Sequence, residues 1–449
     1  MSSLDPIVKA YDIRGTVPEQ LDSSMCRAIG AAFARFTGAS RILVARDMRP
    51  SGVELSRAFA EGVRSQGVDV LNIGLASTDM LYYAAGRFDS PGAMFTASHN
   101  PAQYNGIKLC GAGAKPIGES TGLTDIKALA ERLLLAEEIP SGDDEGAEEQ
   151  TDLLEEFANH VVSFIDVSRL RPLRIVADTA NGMGGLVVPK IFSRLPFELE
   201  VMYGELDGTF PNHPADPIQP ANQRDLQARV QATGADVGLA FDGDADRVFF
   251  VDETGRGLSG STTTAILAAG VLGREPGATI LHNLICSKAV PEVIRERGGT
   301  PIRTKVGHSF IKQIMAETGA AFGGEHSAHY YFRDNYRADS GIIATMFLLE
   351  QLCDSGLPLS ALRKPFERYA DSGEINTEVD DPLAVIERVA VTFADNPQDR
   401  LDGLTVDCGT WWFNLRPSNT EPLLRLNLEA STRTECEDRV AQVLGLITS

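Results

Sequence analysis

Cysteine is scarce in this sequence: six thiols in 449 residues, at Cys26, Cys110, Cys286, Cys353, Cys408 and Cys436, with no C-x-x-C pair. No Cys/His cluster stands at zinc-ligand spacing either, so the thiols read as reduced core side chains. Long apolar runs are missing too. The longest, Ala265 to Leu272 and Ile342 to Leu349, fall well short of the roughly 20 residues that a membrane-spanning helix needs. The first residues, MSSLDPIVKAYDIRG, lack a basic stretch followed by an apolar one and do not read as a secretory signal. The expectation is a soluble, cytoplasmic protein with no membrane partner. Positive charge is also in deficit, with 41 Lys and Arg against 62 Asp and Glu and a formal net charge of -21. That balance excludes a general nucleic-acid binder, whose grip on the phosphate backbone comes from clustered Lys and Arg. An anionic small substrate stays admissible wherever the chain makes a locally positive site.

What the sequence does have is α/β patterning over a length that implies several domains. Short Val- and Ile-rich runs alternate with helical periodicity, the pattern of buried strands between helices. The clearest strands are Arg41 to Asp47, Leu173 to Thr179 and Ala278 to Cys286, each followed by a polar or Gly-containing segment and a helical stretch. They suggest three similar units. Between the first two, Glu137 to Glu156 is rich in acids with Pro and Gly and reads as a solvated linker. A second boundary is expected near Gly255 and a third between Gly356 and Arg368. The remainder reads strand, helix, two strands around the polar loop of WWFNLRPSNTEPLLRLNLEA, and a final helix. The expected fold is α/β, with three mixed α/β domains at 1–146, 147–254 and 255–362 and a smaller α+β domain at 363–449.

Four segments carry candidate chemistry. In Thr96 to Pro101, TASHNP, a hydroxyl, an imidazole and an amide meet where a strand gives way to a loop, which can expose Ser98 beside His99 as a nucleophile or phosphate carrier. Turn formation alone explains a Ser-His-Asn run equally well. In Phe241 to Arg247, FDGDADR, three carboxylates at i, i+2 and i+4 can converge on one hard cation if the loop curls at Gly243 and Ala245. Asp242, Asp244, Asp246 and Glu253 fall on the first, third, fifth and twelfth positions of a calcium EF-hand loop, but Arg247 occupies the place of its required Gly and the flanks read as strands. A Mg²⁺ site with room for phosphate oxygen and water fits better. In RPSNTEP, Arg416, Ser418, Asn419 and Thr420 offer a guanidinium fork, hydroxyls and an amide suited to a phosphate, stiffened by Pro417 and Pro422. In Gly323 to His329, GGEHSAH, Glu325 and Ser327 would share one face of an extended segment and could bond neighbouring sugar hydroxyls. Arg14, Lys108, and Lys305 with His308 punctuate loops where they would form a positive well.

TASHNP, DGDADR, GEHS and RPSNTEP in this order resemble the α-D-phosphohexomutase family, and the resemblance covers essentially the whole chain. GEHSAHYYFRD with TKVGHSFIK looks most like the phosphomannomutase branch. The resemblance implies four domains around a central active-site cleft, a phosphoserine at Ser98, and Mg²⁺ on Asp242, Asp244 and Asp246 with Ser98 as a further ligand. It implies Glu325 and Ser327 on sugar hydroxyls, Arg416, Ser418, Asn419 and Thr420 on the non-reacting phosphate, and Lys305 and Gly307 among the substrate-binding residues. Arg14, His99, Lys108, Arg247, His308 and His329 match positions near the phosphates or proton transfers, with no one of them singled out as general base. The implied reaction moves phosphate between O6 and O1 of a hexose, mannose first, through a hexose 1,6-bisphosphate. A phosphoglucomutase or phosphoglucosamine mutase of the same family is the alternative, with a metal-dependent sugar phosphatase or a non-catalytic phosphosugar sensor beyond it. The expected partners are sugar phosphates only, with the chain a monomer or weak homodimer. A Gly- and Pro-containing connection at Gly356 to Pro365 is expected to let the last domain rotate.

Overall fold

In the computed structural model, residues 4–135, 144–417 and 423–448 are described. Their strands build four sheets in chain order. The first runs Ile13–Thr16, Tyr104–Gly111, Gly92–Phe95, Arg41–Arg46, Asp69–Leu75 and Glu148–Gln150 across its width, with Lys115–Pro116 paired to Tyr104–Gly111. Its middle is parallel, and the strands on the Ile13 side are antiparallel. Arg41–Arg46 has four consecutive buried residues because helices cover both faces, which is why it reads as a continuous apolar run. The second sheet is Val248–Asp252, Val237–Phe241, Arg174–Asp178, Glu198–Met202, and the third is Thr300–Thr304, Thr279–Asn283, Phe322–Gly324, Tyr330–Phe332. Both are parallel except for the strand at one edge.

The fourth sheet is antiparallel throughout, in the order Ala370–Glu378, Leu423–Ala430, Trp411–Pro417, Leu404–Asp407, Gln398–Asp399. The chain is therefore α/β, with three mixed α/β units and a smaller α+β unit at its C-terminal end. Helices Pro382–Thr392 and Arg433–Ile447 close a core on the last sheet that includes Val389, Phe413, Leu426 and Val443. That core is separate from the one spanning the first three units. A body with its own core can shift against its neighbours without exposing apolar surface.

Several expectations change. Glu148–Gln150 pairs with Asp69–Leu75, so a boundary at 146/147 would cut the first sheet. Nothing in EEQ signals that strand, since all three residues are exposed. Of the expected linker, residues 137–143 lie outside the described residues, and Leu154 onward is already helix. Gln398–Asp399 and Leu404–Asp407 are two strands too short for their pattern to announce. The connection at Gly356 to Pro365 is not the loose segment that its Gly and Pro content suggests. Leu359–Leu362 is a helical turn, and Arg363, 3% exposed, bonds Asp252, Glu367 and the carbonyls of Arg256 and Gly257. That grip fastens Gly356 to Pro365 to the body, and the crossing to the last sheet comes only after Phe366. No disulfide forms, and every cysteine except half-buried Cys408 is buried. No single described helix is long and apolar enough to cross a membrane.

Candidate active site

The candidate loops follow the carboxyl ends of strands, where α/β sheets hold their ligands. Ser98 lies three residues beyond Gly92–Phe95 with φ +48°, a left-handed conformation that a Cβ-bearing residue adopts at a cost of order 1 kcal/mol. Arg49 holds it there. This fully buried guanidinium donates to the carbonyls of Ser98 (2.9 Å), Asn100 (2.6 Å), Pro101 (2.8 Å) and Tyr104 (2.8 Å), with Asp47 on its Nε at 3.2 Å. The Thr96 hydroxyl accepts the Ser98 amide at 2.9 Å. Arg14 adds a clamp, donating to Asn100 Oδ1 and to Asp12 Oδ2, each at 2.5 Å.

The Ser98 hydroxyl donates to Asp242 Oδ2 at 2.7 Å. Two small residues permit this approach. A Cβ on Gly243 would lie 2.3 Å from the Ser98 carbonyl oxygen, and Ala245 turns the loop with φ +61°. Asp242, Asp244 and Asp246 are buried, each with a carboxylate oxygen within 4.8 Å of the others. Lys108 Nζ lies 2.7 Å from Oδ2 of both Asp244 and Asp246, Thr78 donates to Asp244 Oδ2 at 2.5 Å, and Arg247 Nε donates to Asp242 Oδ2 at 3.0 Å. Burial pushes the Asp242 carboxyl up. It pushes Asp244 the same way, but there Lys108, Thr78 and Arg247 outweigh it and hold the group below the usual carboxylate range. Asp244 Oδ1 and Asp246 Oδ1 are buried without a hydrogen-bond partner. Oxygen donors that the protein leaves unmatched, converging in one place, fit a hard divalent cation of the Mg²⁺ type.

His99 is constrained by Arg247, whose Nη2 lies 2.6 Å from His99 Nδ1 and 3.5 Å from Ser98 Oγ. A guanidinium only donates, so Nδ1 accepts and the imidazole is neutral with its proton on Nε2. Burial, reinforced by Arg247 and Arg14, pushes its pKa well below the ordinary value. His329 is the opposite case. Burial works against its charged form, but Asp246 and Asp339 outweigh that and raise its pKa, with Nδ1 at 2.8 Å from Asp339 and 3.8 Å from Asp246. Lys312, also buried, pairs with Asp339 at 2.8 Å.

Glu325 does not lie on an extended segment. The chain turns, with the Glu325 amide donating to the His329 carbonyl at 3.0 Å and Ala328 at φ +66°, so Glu325 and Ser327 share no strand face. Glu325 is buried and accepts Tyr331 Oη (2.7 Å), the Gly307 amide (3.1 Å) and Asn283 Nδ2 (3.2 Å). Ser327 is half-buried. Tyr11 Oη donates to the Val306 carbonyl at 3.2 Å, tying the first unit to the Lys305–Gly307 loop. Burial, then Asp402 and Glu325, raise the Tyr11 pKa while Arg416 opposes, so groups from three units meet here. Lys305 is exposed with its ammonium 5.6 Å from the Phe310 ring centroid, and Arg416 pairs with Glu374 at 2.8 Å. Neither contact involves the serine–aspartate cluster. The side chain of His308, and Ser418, Asn419 and Thr420, lie outside the described residues.

Sequence reasoning missed Arg49, Thr78, Lys312, Asp339 and Tyr11. Their partners are mostly distant in sequence: Thr78 meets Asp244 across 166 positions and Tyr11 meets Val306 across 295. No local spacing announces such pairs.

Comparison with known proteins agrees in length and order. Profiles for phosphoglucomutase/phosphomannomutase alpha/beta/alpha domains I, II and III match residues 5–135, 155–256 and 259–369, and that for the C-terminal domain matches 374–446. The phosphohexose mutases of Xanthomonas campestris pv. campestris are 39% identical over 449 residues, covering 98% of this chain and 99% of theirs. The phosphomannomutase of Salmonella montevideo is also 39% identical, over 453 residues and 98% of each chain. Among solved structures, a phosphoglucomutase/phosphomannomutase family protein of Burkholderia thailandensis superposes with a TM-score of 0.88 at 33% identity, covering 100% of this chain and 98% of that one.

Proposed function

Because the chain belongs to the phosphoglucomutase/phosphomannomutase family and is thereby a phosphohexomutase, an isomerase, we propose that it interconverts mannose 6-phosphate and mannose 1-phosphate through a phosphoserine at Ser98. One observation carries this reading: the Ser98 hydroxyl lies on Asp242, beside two more buried aspartates and the cations Arg247 and Lys108. Phosphoryl transfer asks mainly for positioning and for neutralised charge on the moving group. Asp242, Asp244 and Asp246, with Ser98, would hold Mg²⁺, which supplies Lewis-acid neutralisation of the phosphoryl oxygens. Arg49 and Arg14 orient the loop that presents the hydroxyl, and Arg247 keeps His99 neutral at its side.

In the forward half-reaction, the bond from Ser98 Oγ to phosphorus breaks as the free sugar hydroxyl bonds to it. The proton that this hydroxyl gives up ends on Ser98 Oγ, the leaving oxygen, and the hexose 1,6-bisphosphate forms. After reorientation, the other phosphoryl group bonds to Ser98 Oγ and leaves its sugar oxygen, which takes up the proton that the Ser98 hydroxyl gives up. Two orientations can share one site if a single clamp holds whichever phosphate is idle. We assign that clamp to Arg416 with Ser418, Asn419 and Thr420, aided by Lys305 and Gly307. The four sheets support four working units, the first running on through Gln150.

A carboxylate has about four lone-pair sites, and Glu325 spends three of them within the protein, leaving one on Oε2 for a sugar hydroxyl. Glucose and mannose differ only at C2, so a loop reading O3 and O4 separates them poorly. Mannose 1-phosphate should therefore be turned over, with glucose 1-phosphate a comparable or weaker substrate. A product assay separates the alternatives: isomerised sugar phosphate supports the mutase, free phosphate a phosphatase, and binding without turnover a sensor. Exclusive turnover of glucosamine phosphate would overturn the mannose assignment.

Arg416→Ala tests the clamp. A charge-assisted bond to the idle phosphate corresponds to roughly ten- to hundredfold in affinity. The variant should raise KM for the sugar phosphate by about that factor and keep Ser98 phosphorylation by hexose 1,6-bisphosphate, read by intact mass. An unchanged KM refutes the clamp and leaves the mutase chemistry standing.

A further inference from the structure

Glu429 is a charged side chain that the proposed chemistry does not use, yet it is only 4% exposed. It leaves the strand Leu423–Ala430 of the last sheet and crosses into the third unit. There its carboxylate accepts the Lys288 amide at 2.9 Å and the Ser287 hydroxyl, and from its own sheet it accepts Trp412 Nε1 at 2.6 Å. Lys288 stands at the N-cap of the helix Ala289–Glu296 and its side chain accepts no helix amide, while the neighbouring Ser287 Oγ accepts the Ala289 amide at 3.1 Å. A residue of the C-terminal unit thus caps a helix of the third unit. The position suits a carboxylate, because the first amides of a helix lack intrahelical partners and the dipole is positive there. Around this seat, Lys288 Nζ bonds Asp407 at 2.7 Å, and farther along the helix Arg368 bonds Glu292 and Glu296 while Tyr369 bonds Glu292. One helix therefore receives both the C-terminal sheet and the segment that leads into it.

The same seat is joined to the loop carrying Glu325 and Ser327. The Ser287 amide donates to Ser261 Oγ at 3.1 Å, and Ser261 Oγ lies 3.1 Å from His326 Nδ1. His326 stands between the two residues assigned to the sugar. The backbone contact is closer still: a Cβ on Gly260 would lie 2.2 Å from the His326 carbonyl oxygen, so the helix Gly260–Arg274 starts directly against that loop. A cavity of about 210 Å³ opens beside these contacts, with Ser261, Ser287, His326, Trp412 and Glu429 on its wall. It is several times the volume of a water molecule, about 30 Å³, and leaves space next to the seat for the C-terminal unit to turn.

We propose that Glu429 is a positioning residue for the mutase reaction: the pivot on which the C-terminal unit turns against the helix Ala289–Glu296, linked through Ser287, Ser261 and His326 to the sugar-binding loop. The proposal rests on the mutase reading and adds to it the place about which the phosphate clamp moves. A rotating body with a separate core needs one contact that keeps its register while the rest slides, and a buried carboxylate with three donors from two units is such a contact. Its link to the sugar loop predicts that the clamp and the loop respond together.

Glu429→Gln keeps the side-chain shape but removes the charge and one accepting oxygen. In the full-length protein it should raise KM for mannose 1-phosphate about five- to tenfold with kcat within about twofold, a size typical of coupling between two sites. Ser98 phosphorylation by hexose 1,6-bisphosphate should be unchanged, and small-angle scattering should show the wild type compacting when substrate is added and the variant compacting less. Ser261→Ala should act in the same direction more weakly, and the double variant should change KM by less than the product of the two single effects. Thermal melts check that each variant is folded, and Ser287→Ala serves in place of Glu429→Gln should the latter fail to fold. A folded variant at the pivot with wild-type KM and compaction overturns the proposal, as does a strictly multiplicative double variant. Should the wild type isomerise no hexose phosphate, the mutase reading fails instead, and the scattering response to hexose 1,6-bisphosphate alone then decides the pivot.

Discussion

Ser98→Ala should reduce mutase turnover by roughly a thousandfold or more, the scale seen when a covalent nucleophile is removed. Two nearby hydroxyls are engaged elsewhere: that of Thr78 donates to Asp244, and that of Thr96 accepts the Ser98 amide. The variant should nevertheless fold. Arg49 grips the loop through carbonyl oxygens, which alanine retains, and the left-handed backbone at this position costs alanine about what it costs serine. The melting temperature should therefore stay within a few degrees of wild type. Intact-mass analysis should find a phosphate on the active wild type and none on the variant. Near-normal turnover by Ser98→Ala would sink the assignment of Ser98 as the carrier.

Removing divalent metal should have the second largest effect, a loss of about a hundredfold or more, because Lewis-acid neutralisation of a transferring phosphoryl group is worth several kcal/mol. Chelator should abolish activity and Mg²⁺ should restore it. Without metal, Lys108 and Arg247 already neutralise part of the aspartate charge, so the apoprotein should remain folded. Added Mg²⁺ should raise the melting temperature with concentration, since a ligand that binds only the folded state stabilises it by mass action. Asp244→Asn removes one charge with little change of shape and should weaken both the thermal shift and the turnover. Full activity in metal-free buffer would refute the role given to the DGDADR loop.

The two predictions differ in how they could be reached. The i, i+2, i+4 spacing of Asp242, Asp244 and Asp246 and the turn-permitting Gly243 and Ala245 are local, so the acidic loop was legible as a candidate metal site from its own residues, and the structure does bring the three carboxylates together. The α/β alternation was legible for the same reason, because strands such as Arg41–Arg46 are buried on both faces and read as apolar runs. Glu148–Gln150 was not, since an exposed edge strand of three residues has no apolar pattern to show. The turn at Glu325 was misread as extended because alternation alone cannot reveal a left-handed residue at Ala328.

By itself, the sequence determined the layer type of each unit, the acidic loop, the serine loop and the order of the four motifs, all of which depend on residues within a few positions of one another. Tertiary structure alone decided that Ser98 meets Asp242 across 144 positions, that Arg49 holds the serine loop, and that the pKa of His99 is pushed down where that of His329 is raised. It also showed that Arg363 fastens the connection at Gly356 to Pro365, and that Arg368 and Tyr369 stay tied to the third unit up to the start of the last sheet. The reason is physical: hydrogen bonds, burial and charge act through distance in space, and a sequence states distance only along the chain.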